Sequence, residues 1–397
     1  MRRSVTLVPV LALLFFGAPT AQASLSTDWH RTIGAAANDV AVGPGGAVYV
    51  VGQGALDPSG DDYAMITRFS PSGDVVWTRT WQFHPERPRV FIENANAVTV
   101  ADNGVVYVTG SVVRYNCEGG GWFVHAYGPN GRLLHTYGTV HRWTCHIGPQ
   151  YANDVAVDGS LVVVAGSDYG CCGDAGLSDG SVWAFDRSLD RRWRIDFEPP
   201  APADPAWYDD TKTIAIGNGG AIYASGWAAI DAGIEGVRGP VGSLLVMRLN
   251  PAGAVVWSRR PGVPMGGGGA VASTADGDAL LVAAATREGG TWLARLRSDG
   301  SPIWHRTWGA DPKIKGGPSG LAVDAFGRTW LAGTRRDLGD NGTNPFVRMY
   351  GPTGRLLSSL VLDVTARSAR GTGVATLGRA GFVGATAHAG RVWRLRT

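Results

Sequence analysis

Tyr115, Trp143, Tyr151, Tyr169, Trp207 and Tyr208 fall in one stretch of the chain together with Arg114, Arg142, Asp204, Asp209 and Asp210. Flat rings beside charged donors and acceptors suit sugars, which offer apolar C–H faces and hydroxyls. The same rings would serve equally to pack loops onto a scaffold, because large aromatics bury most of their area. A second set is spread along the chain: Asn38, Asn96, Asn153, Lys212, Gly269, Ser319 and Thr372 each open a similar apolar phrase, with Asp39 and Asp154 next to two of them. If those phrases are the innermost strands of a ring, these residues surround the mouth of a central channel. They could hold waters, a cation or a small polar ligand there. Satisfying the first backbone groups of each strand is the plainer role and the preferred one.

Catalytic signatures are sparse. No Gly-x-Ser-x-Gly elbow, phosphate-cradling loop or nucleotide fingerprint stands in a strand-turn-helix context. Asp209-Asp210 and Asp61-Asp62 could divide into acid and base, but consecutive strand residues point to opposite faces, so only a loop lets such a pair meet one substrate. His84, His141 and His146 show no established ligand spacing, and Asp337, Asp340, Asn341 and Asn344 lack the regular alternation of a calcium loop. Neither a metal nor a cofactor is expected, and whether the chain is an enzyme is left open.

Cys117, Cys145, Cys171 and Cys172 are the only cysteines. An even count in an exported chain reads as disulfides that pin long loops. Cys117 with Cys145 and Cys171 with Cys172 is the preferred pairing, and the two cross-linked pairings stay open.

The elements that must position these residues come from an internal repeat. Asn38-Asp39-Val40-Ala41-Val42 leads into Gly43-Pro44-Gly45-Gly46 and then Tyr49-Val50-Val51-Gly52. The phrase occurs seven times in all, closing at positions 52, 110, 166, 226, 284, 333 and 385. A second phrase follows most copies, as in Ala64-Met65-Ile66-Thr67-Arg68-Phe69, Ser70-Pro71-Ser72-Gly73 and Asp74-Val75-Val76-Trp77. Each phrase reads as a hairpin of two short strands joined by turn residues. One repeat is therefore four antiparallel strands, a to d, and seven of them without helical periodicity predict an all-β, seven-bladed β-propeller.

The chain ends sharpen that expectation. The seventh repeat stops at Arg394-Leu395-Arg396-Thr397, which matches the end of a strand c, while Trp29-His30-Arg31-Thr32 matches the strand d of the fifth repeat, Trp304-His305-Arg306-Thr307. The N-terminal strand should complete the last blade and close the ring, leaving no exposed edge. The a-b and c-d turns are short and share one face. The b-c and d-a connections are long and share the other, where binding residues usually gather. The tryptophans at the strand d position, Trp29, Trp77, Trp193, Trp257 and Trp304, are expected to pack between neighbouring sheets.

Asn-Asp-Val-Ala-Val, Val-Tyr-Val-Val-Gly, Asp-Asp-Tyr-Ala and Phe-Ser-Pro-Ser-Gly-Asp-Val-Val-Trp in residues 38 to 77 resemble the bacterial seven-bladed β-propeller (SBBP-type) repeat. The resemblance covers essentially residues 26 to 397 and implies an exported bacterial propeller without specifying an activity. Lys212-Thr213 and Gly269-Ala270 depart from the Asn-Asp pattern, so seven equivalent sites are not implied. The strand c and d phrase is also somewhat similar to the repeats of pyrroloquinoline-quinone proteins, which have eight.

With 58 Gly among 397 residues, 17% charged and 44% hydrophobic, the chain can bury a large core and must turn often. A formal net charge of +3 does not suggest a nucleic-acid partner. Arg2 and Arg3, an apolar run to Ala18 and Ala21-Gln22-Ala23 read as a secretory signal over residues 1–23, too short to span a bilayer, ahead of a single propeller domain over 24–397. These readings combine into a secreted monomeric scaffold that binds an extracellular glycan or protein through its long-loop face. The alternative is an extracellular polysaccharide lyase or hydrolase, a quinone-dependent oxidoreductase, or a component of a structural assembly.

Overall fold

Short Val-, Ile- and Tyr-rich runs punctuated by glycine turns fold here as hairpins, because β-branched and aromatic side chains fit a pleated surface and glycine takes up the positive φ of the turns. The computed structural model describes residues 24–54, 62–82, 91–114, 120–138, 147–170, 178–197, 209–230, 241–262, 265–274, 277, 279–286, 290–309, 314–337, 342–362, 369–386 and 390–397. Among these, the strands form seven sheets of four antiparallel strands. Strands a, which line the axis, are Asp39–Val42, Phe91–Val100, Ile147–Asp158, Asp209–Ile216, Met265–Ser273, Ile314–Val323 and Arg370–Leu377 in blades 1 to 7. No helix among the described residues is long and apolar enough to cross a membrane.

Ring closure follows the expected scheme. Ser26–Thr32 pairs antiparallel with Arg391–Arg396 and becomes strand d of blade 7. Trp29 sits opposite Arg394, as Trp77 sits opposite Arg68, Trp257 opposite Arg248 and Trp304 opposite Arg295. The N-terminal strand thus keeps the register of an ordinary strand d. Blades 7 and 1 also share a core: Phe382, Val392 and Ala380 pack with Val40, Val48, Val50 and Phe69.

Apolar clusters fill the gaps between consecutive sheets. Tyr49, Ile66 and Trp77 of blade 1 join Val98, Val108 and Phe123 of blade 2, and Trp122 and Val124 of blade 2 join Val164, Trp183 and Phe185 of blade 3. Burial of both sheet faces explains why the inner strands read as near-continuous apolar runs. Strand d is the exception, because its outer side meets solvent: Val75, Val76, Val255 and Val256 are exposed.

The two kinds of short turn do share a face. A Cβ on Gly104, in the a-b turn of blade 2, would touch Pro129 of that blade's c-d turn at 3.1 Å, and Gly220 stands in the same relation to Pro251 at 3.0 Å. On the opposite face, part of what reads as loop is sheet. Phe91–Val100, Ile147–Asp158 and Ile314–Val323 begin well before the repeat phrase, and Val106–Arg114, Leu161–Gly170 and Thr329–Asp337 run past its closing glycine. The reason is pairing: backbone beyond the phrase still has a partner strand alongside, as Phe91 has Arg114 and Ile314 has Asp337.

Candidate functional site at the channel mouth

Asn38 opens its strand, Asp39–Val42, as expected, whereas its counterparts in the other blades lie inside theirs, most of them at breaks in the pairing. Ala95 pairs with Gly110 and Ala97 with Thr109, leaving Asn96 unpaired between them. Asn153 is skipped between Ala152 and Asp154, Lys212 between Thr211 and Thr213, and Ser319 between Pro318 and Gly320. In blade 5 the skipped residues are Gly266 and Gly268, and in blade 7 they are Thr372 and Gly373. Such bulges kink a strand and re-aim a side chain. In blades 2, 3, 4, 6 and 7 they bring Asn96, Asn153, Lys212, Ser319 and Thr372 to the channel wall, whereas a regular strand would alternate its side chains between the two faces.

The bulge also explains the glycine that closes each phrase. A Cβ on Gly52, Gly110, Gly226 or Gly333 would collide with the carbonyl oxygen of Ala36, Asn94, Asp210 or Gly317 on the facing strand a. Where strand b carries Ala284 or Ala385 instead, the facing residues are Gly269 and Gly371.

Together these residues line a cavity of about 780 Å³ at the channel mouth. Its wall includes Asn38, Asn96, Asn153, Lys212, Ser319 and Thr372. Asp39, Asp154, Ser111 and Tyr151 join them. The three asparagines clasp one blade to the next. Asn38 Nδ2 donates to the Ala95 carbonyl at 2.9 Å, Asn96 Nδ2 to Ala152 at 2.8 Å and Asn153 Nδ2 to Thr211 at 2.9 Å. Second acceptors are Asn94 Oδ1 at 2.6 Å, Ser111 Oγ at 2.9 Å and Asp210 Oδ1 at 3.0 Å. A backbone carbonyl can only accept, so each amide nitrogen must face the next blade. The amide oxygens of all three receive no protein donor among the described residues. Satisfying backbone groups is thus the asparagines' structural role, but the groups belong to the neighbouring blade.

Two carboxylates reinforce the clasps. Asp39 Oδ2 accepts the Val98 N–H at 3.0 Å and Asp154 Oδ2 the Ile214 N–H at 2.8 Å, each one blade onward. Blade 2 has Ala97 at the equivalent position, and the Val155 N–H there turns to Asp154 Oδ1 at 2.8 Å. Burial pushes the Asp39 carboxyl up to about 7 against an ordinary 3.8, opposed by its backbone donors. Asp154 is raised to about 8, first by burial and then by the charge of Asp39. No cation pairs with either among the described residues. The ammonium of Lys212 is engaged by Asp210, whose side chain is 6% exposed.

Of the residues expected to bind ligand, the structure brings Asn38, Asn96, Asn153, Lys212 and Tyr151 around one cavity, with Asp210 behind Asn153 and Lys212. Asp209 and Asp210 are consecutive residues of a strand, opposite Ala228 and Trp227, so they do not form a pair for one substrate. Tyr169 lies in strand b of blade 3, opposite Ser178. Tyr115, Arg142, Trp143, Trp207, Tyr208, His84, His141 and His146, the four cysteines Cys117, Cys145, Cys171 and Cys172, and residues 1–23 lie outside the described residues. Among the described residues no group of three or more His, Cys, Asp or Glu side chains is placed to hold a metal. Asp39 and Asp154 carry the strongest electrostatic signal of the site, and the Asn-Asp dipeptides were its trace in the sequence.

No protein-family model matches the chain, and no curated protein matches it. Solved structures do. An α-L-arabinanase of Penicillium chrysogenum complexed with arabinobiose aligns at a TM-score of 0.51 and 12% identity, over 85% of this chain and 98% of that one. A point mutant of an α-L-arabinofuranosidase of Fusarium graminearum, in complex with an iminosugar inhibitor, aligns at 0.52 and 10%, over 75% and 88%. A puromycin hydrolase mutant aligns at 0.50 and 14%, over 88% of this chain and 50% of that one. At such identities the likeness is one of fold.

Proposed function

We propose that this chain is an exported propeller scaffold that binds an extracellular glycan at its channel mouth. One observation carries the reading: bulges in successive inner strands turn polar side chains toward one open cavity, where amide oxygens lack protein donors and two carboxyls lack a cation among the described residues. Hydroxyl-rich ligands supply such donors, and Tyr151 supplies a ring for a sugar face. The arabinobiose held by the arabinanase and the iminosugar held by the arabinofuranosidase support a saccharide over a protein partner. Basic residues, an apolar run and an A-x-A tripeptide in residues 1–23 support export. Glycan-array binding followed by calorimetry tests the reading, with Ser319→Trp placing an indole in the cavity. Loss of binding in that variant is the expected result. Binding that survives it puts the ligand elsewhere on the face.

A hydrolytic reading is favoured by Asp39, which holds its proton to about pH 7 and so has the form a general acid needs near neutrality. New reducing ends released from arabinan, and their disappearance in Asp39→Asn, would establish it.

A further inference from the structure

The cavity wall is not uniform around the ring. Blades 1 to 3 contribute Asn38, Asn96 and Asn153, with their unfilled amide oxygens, and the carboxyls of Asp39 and Asp154. Blade 4 contributes Lys212, and blades 5 to 7 contribute no charged or amide side chain, with Gly269, Ser319 and Thr372 at the matching positions beside apolar Val271, Leu321 and Val374. One side therefore offers hydrogen-bond acceptors and potential negative charge, and the other offers room. The single ammonium in the wall is already taken up by Asp210. Asp39 and Asp154 have backbone donors from the next blade, yet no described cation faces either of them. Two carboxyls that share a cavity, and feel each other's charge, lack the counter-charge that would let both ionise.

We propose that the channel mouth takes a sugar bearing a free primary ammonium group, which sits against Asp39 and Asp154 while its hydroxyls meet the amide oxygens of Asn38, Asn96 and Asn153. This rests on the mouth being the saccharide site. An ammonium is a donor-only cation, matched to a wall of acceptors. It supplies the charge the carboxyls lack. An N-acetylated amine keeps the shape of the ring but loses the charge, and a neutral sugar offers hydroxyls alone.

Calorimetric titration with a glucosamine oligosaccharide, its N-acetylated form and a neutral arabinose oligosaccharide separates these cases. The wild-type chain should bind the free amine at least about tenfold more tightly than the acetylated form, the signature of one charge-assisted contact. Asp39→Asn and Asp154→Asn keep an oxygen for the Val98 and Ile214 N–H groups but lose the second acceptor, which at Asp154 serves the Val155 N–H, so thermal unfolding first establishes that each variant is folded. Together they should cost the free amine about tenfold and leave the acetylated form within about twofold. Equal affinity for amine and acetylated sugar, or undiminished amine binding by the Asn variants, overturns the proposal and leaves the saccharide site standing. Failure of every sugar to bind removes both.

Discussion

Trp77 lies flat against Gly131, a glycine of the following blade. The indole Nε1 donates to the Pro129 carbonyl at 3.0 Å, and a Cβ on Gly131 would stand 2.9 Å from the ring at a φ of +78°. The same buckle joins Trp193 to Gly253, Trp304 to Gly354 and Trp29 to Gly73, each indole donating to a proline carbonyl of the next c-d turn. Trp257 meets Gly300 likewise, its indole donating to the Ser298 carbonyl at 2.8 Å, and the two blades that lack the indole explain themselves. His135 stands where blade 2 would carry its tryptophan, and the turn it faces has Leu189 at φ 64° in place of glycine. Ser358 stands there in blade 6, where the chain ends replace the next turn, and its Oγ accepts the Leu25 N–H at 3.1 Å.

Gly131→Leu should therefore destabilise the fold by about 2 kcal/mol or more through overlap with the indole. In a Trp77→His background, which imitates the His135 and Leu189 arrangement, the same change should cost about half as much. Chemical unfolding of the two single variants and the double variant measures that coupling. Additive losses would show that the indole is not what excludes the side chain.

The bulges make a second prediction. A Cβ on Gly110 would overlap the Asn94 carbonyl oxygen, so Gly110→Ala must flatten the bulge or push the strands apart. The expected loss is about 2–3 kcal/mol, with Asn96 drawn away from the channel. Ala284 occupies the corresponding place in blade 5, so Ala284→Gly there should shift stability by less than about 1 kcal/mol. Thermal unfolding compares the two.

Much of the architecture was legible because a repeat states the first hairpin seven times and the second in most copies, and because Trp29 and Arg394 keep a blade's register across the chain ends. The bulges were not read in advance. Pairing register is a relation between two strands, and Asn96 looks like any strand residue until Ala95 and Ala97 are seen to pair with consecutive partners. The glycines at 52, 110, 166, 226 and 333 were its visible mark, taken as the end of a strand when they make room for a facing carbonyl. The coupling of Asp39 to Asp154 was out of reach for another reason. They lie in blades 1 and 3, and only closure of the ring sets their charges near each other.

Asn96→Asp tests the clasp. The nitrogen that donates to Ala152 O and Ser111 Oγ becomes an oxygen, which places a carboxylate against a carbonyl. Loss of the donor with repulsion added should cost about 2–3 kcal/mol, more than Asn96→Ala at about 1–2 kcal/mol. Ranking the two by denaturant midpoint checks the direction of the amide.

Asp39 and Asp154 impose an alkaline limb on stability. Their folded pKa values, about 7 and about 8, lie above the ordinary 3.8, so the folded chain binds more protons than the unfolded one across that window. Stability is fully present below 3.8 and is lost as pH rises through 7 and 8. Asp39→Asn with Asp154→Asn should raise the unfolding midpoint at pH 8, by about 2 kcal/mol of stability given an open cavity, and leave it unchanged near pH 4.

His125 imposes the opposite limb. It is 6% exposed between Trp81 and Phe123, with ring centroids 5.2 Å and 4.8 Å from its own, and Nδ1 lies 3.2 Å from the Tyr127 hydroxyl. Burial lowers its pKa from 6.5 to about 4. Between those values the unfolded chain binds the extra proton, so stability is fully present above 6.5 and falls as pH drops toward 4. His125→Gln, which cannot be protonated, should flatten the acid side of the stability profile by about 1–2 kcal/mol near pH 4, while leaving the alkaline side to Asp39 and Asp154. Unfolding midpoints measured across pH for this variant and for the double Asn variant should show each limb vanishing alone. A single variant that removed both limbs would mean that the channel and the blade 1–2 core titrate as one unit.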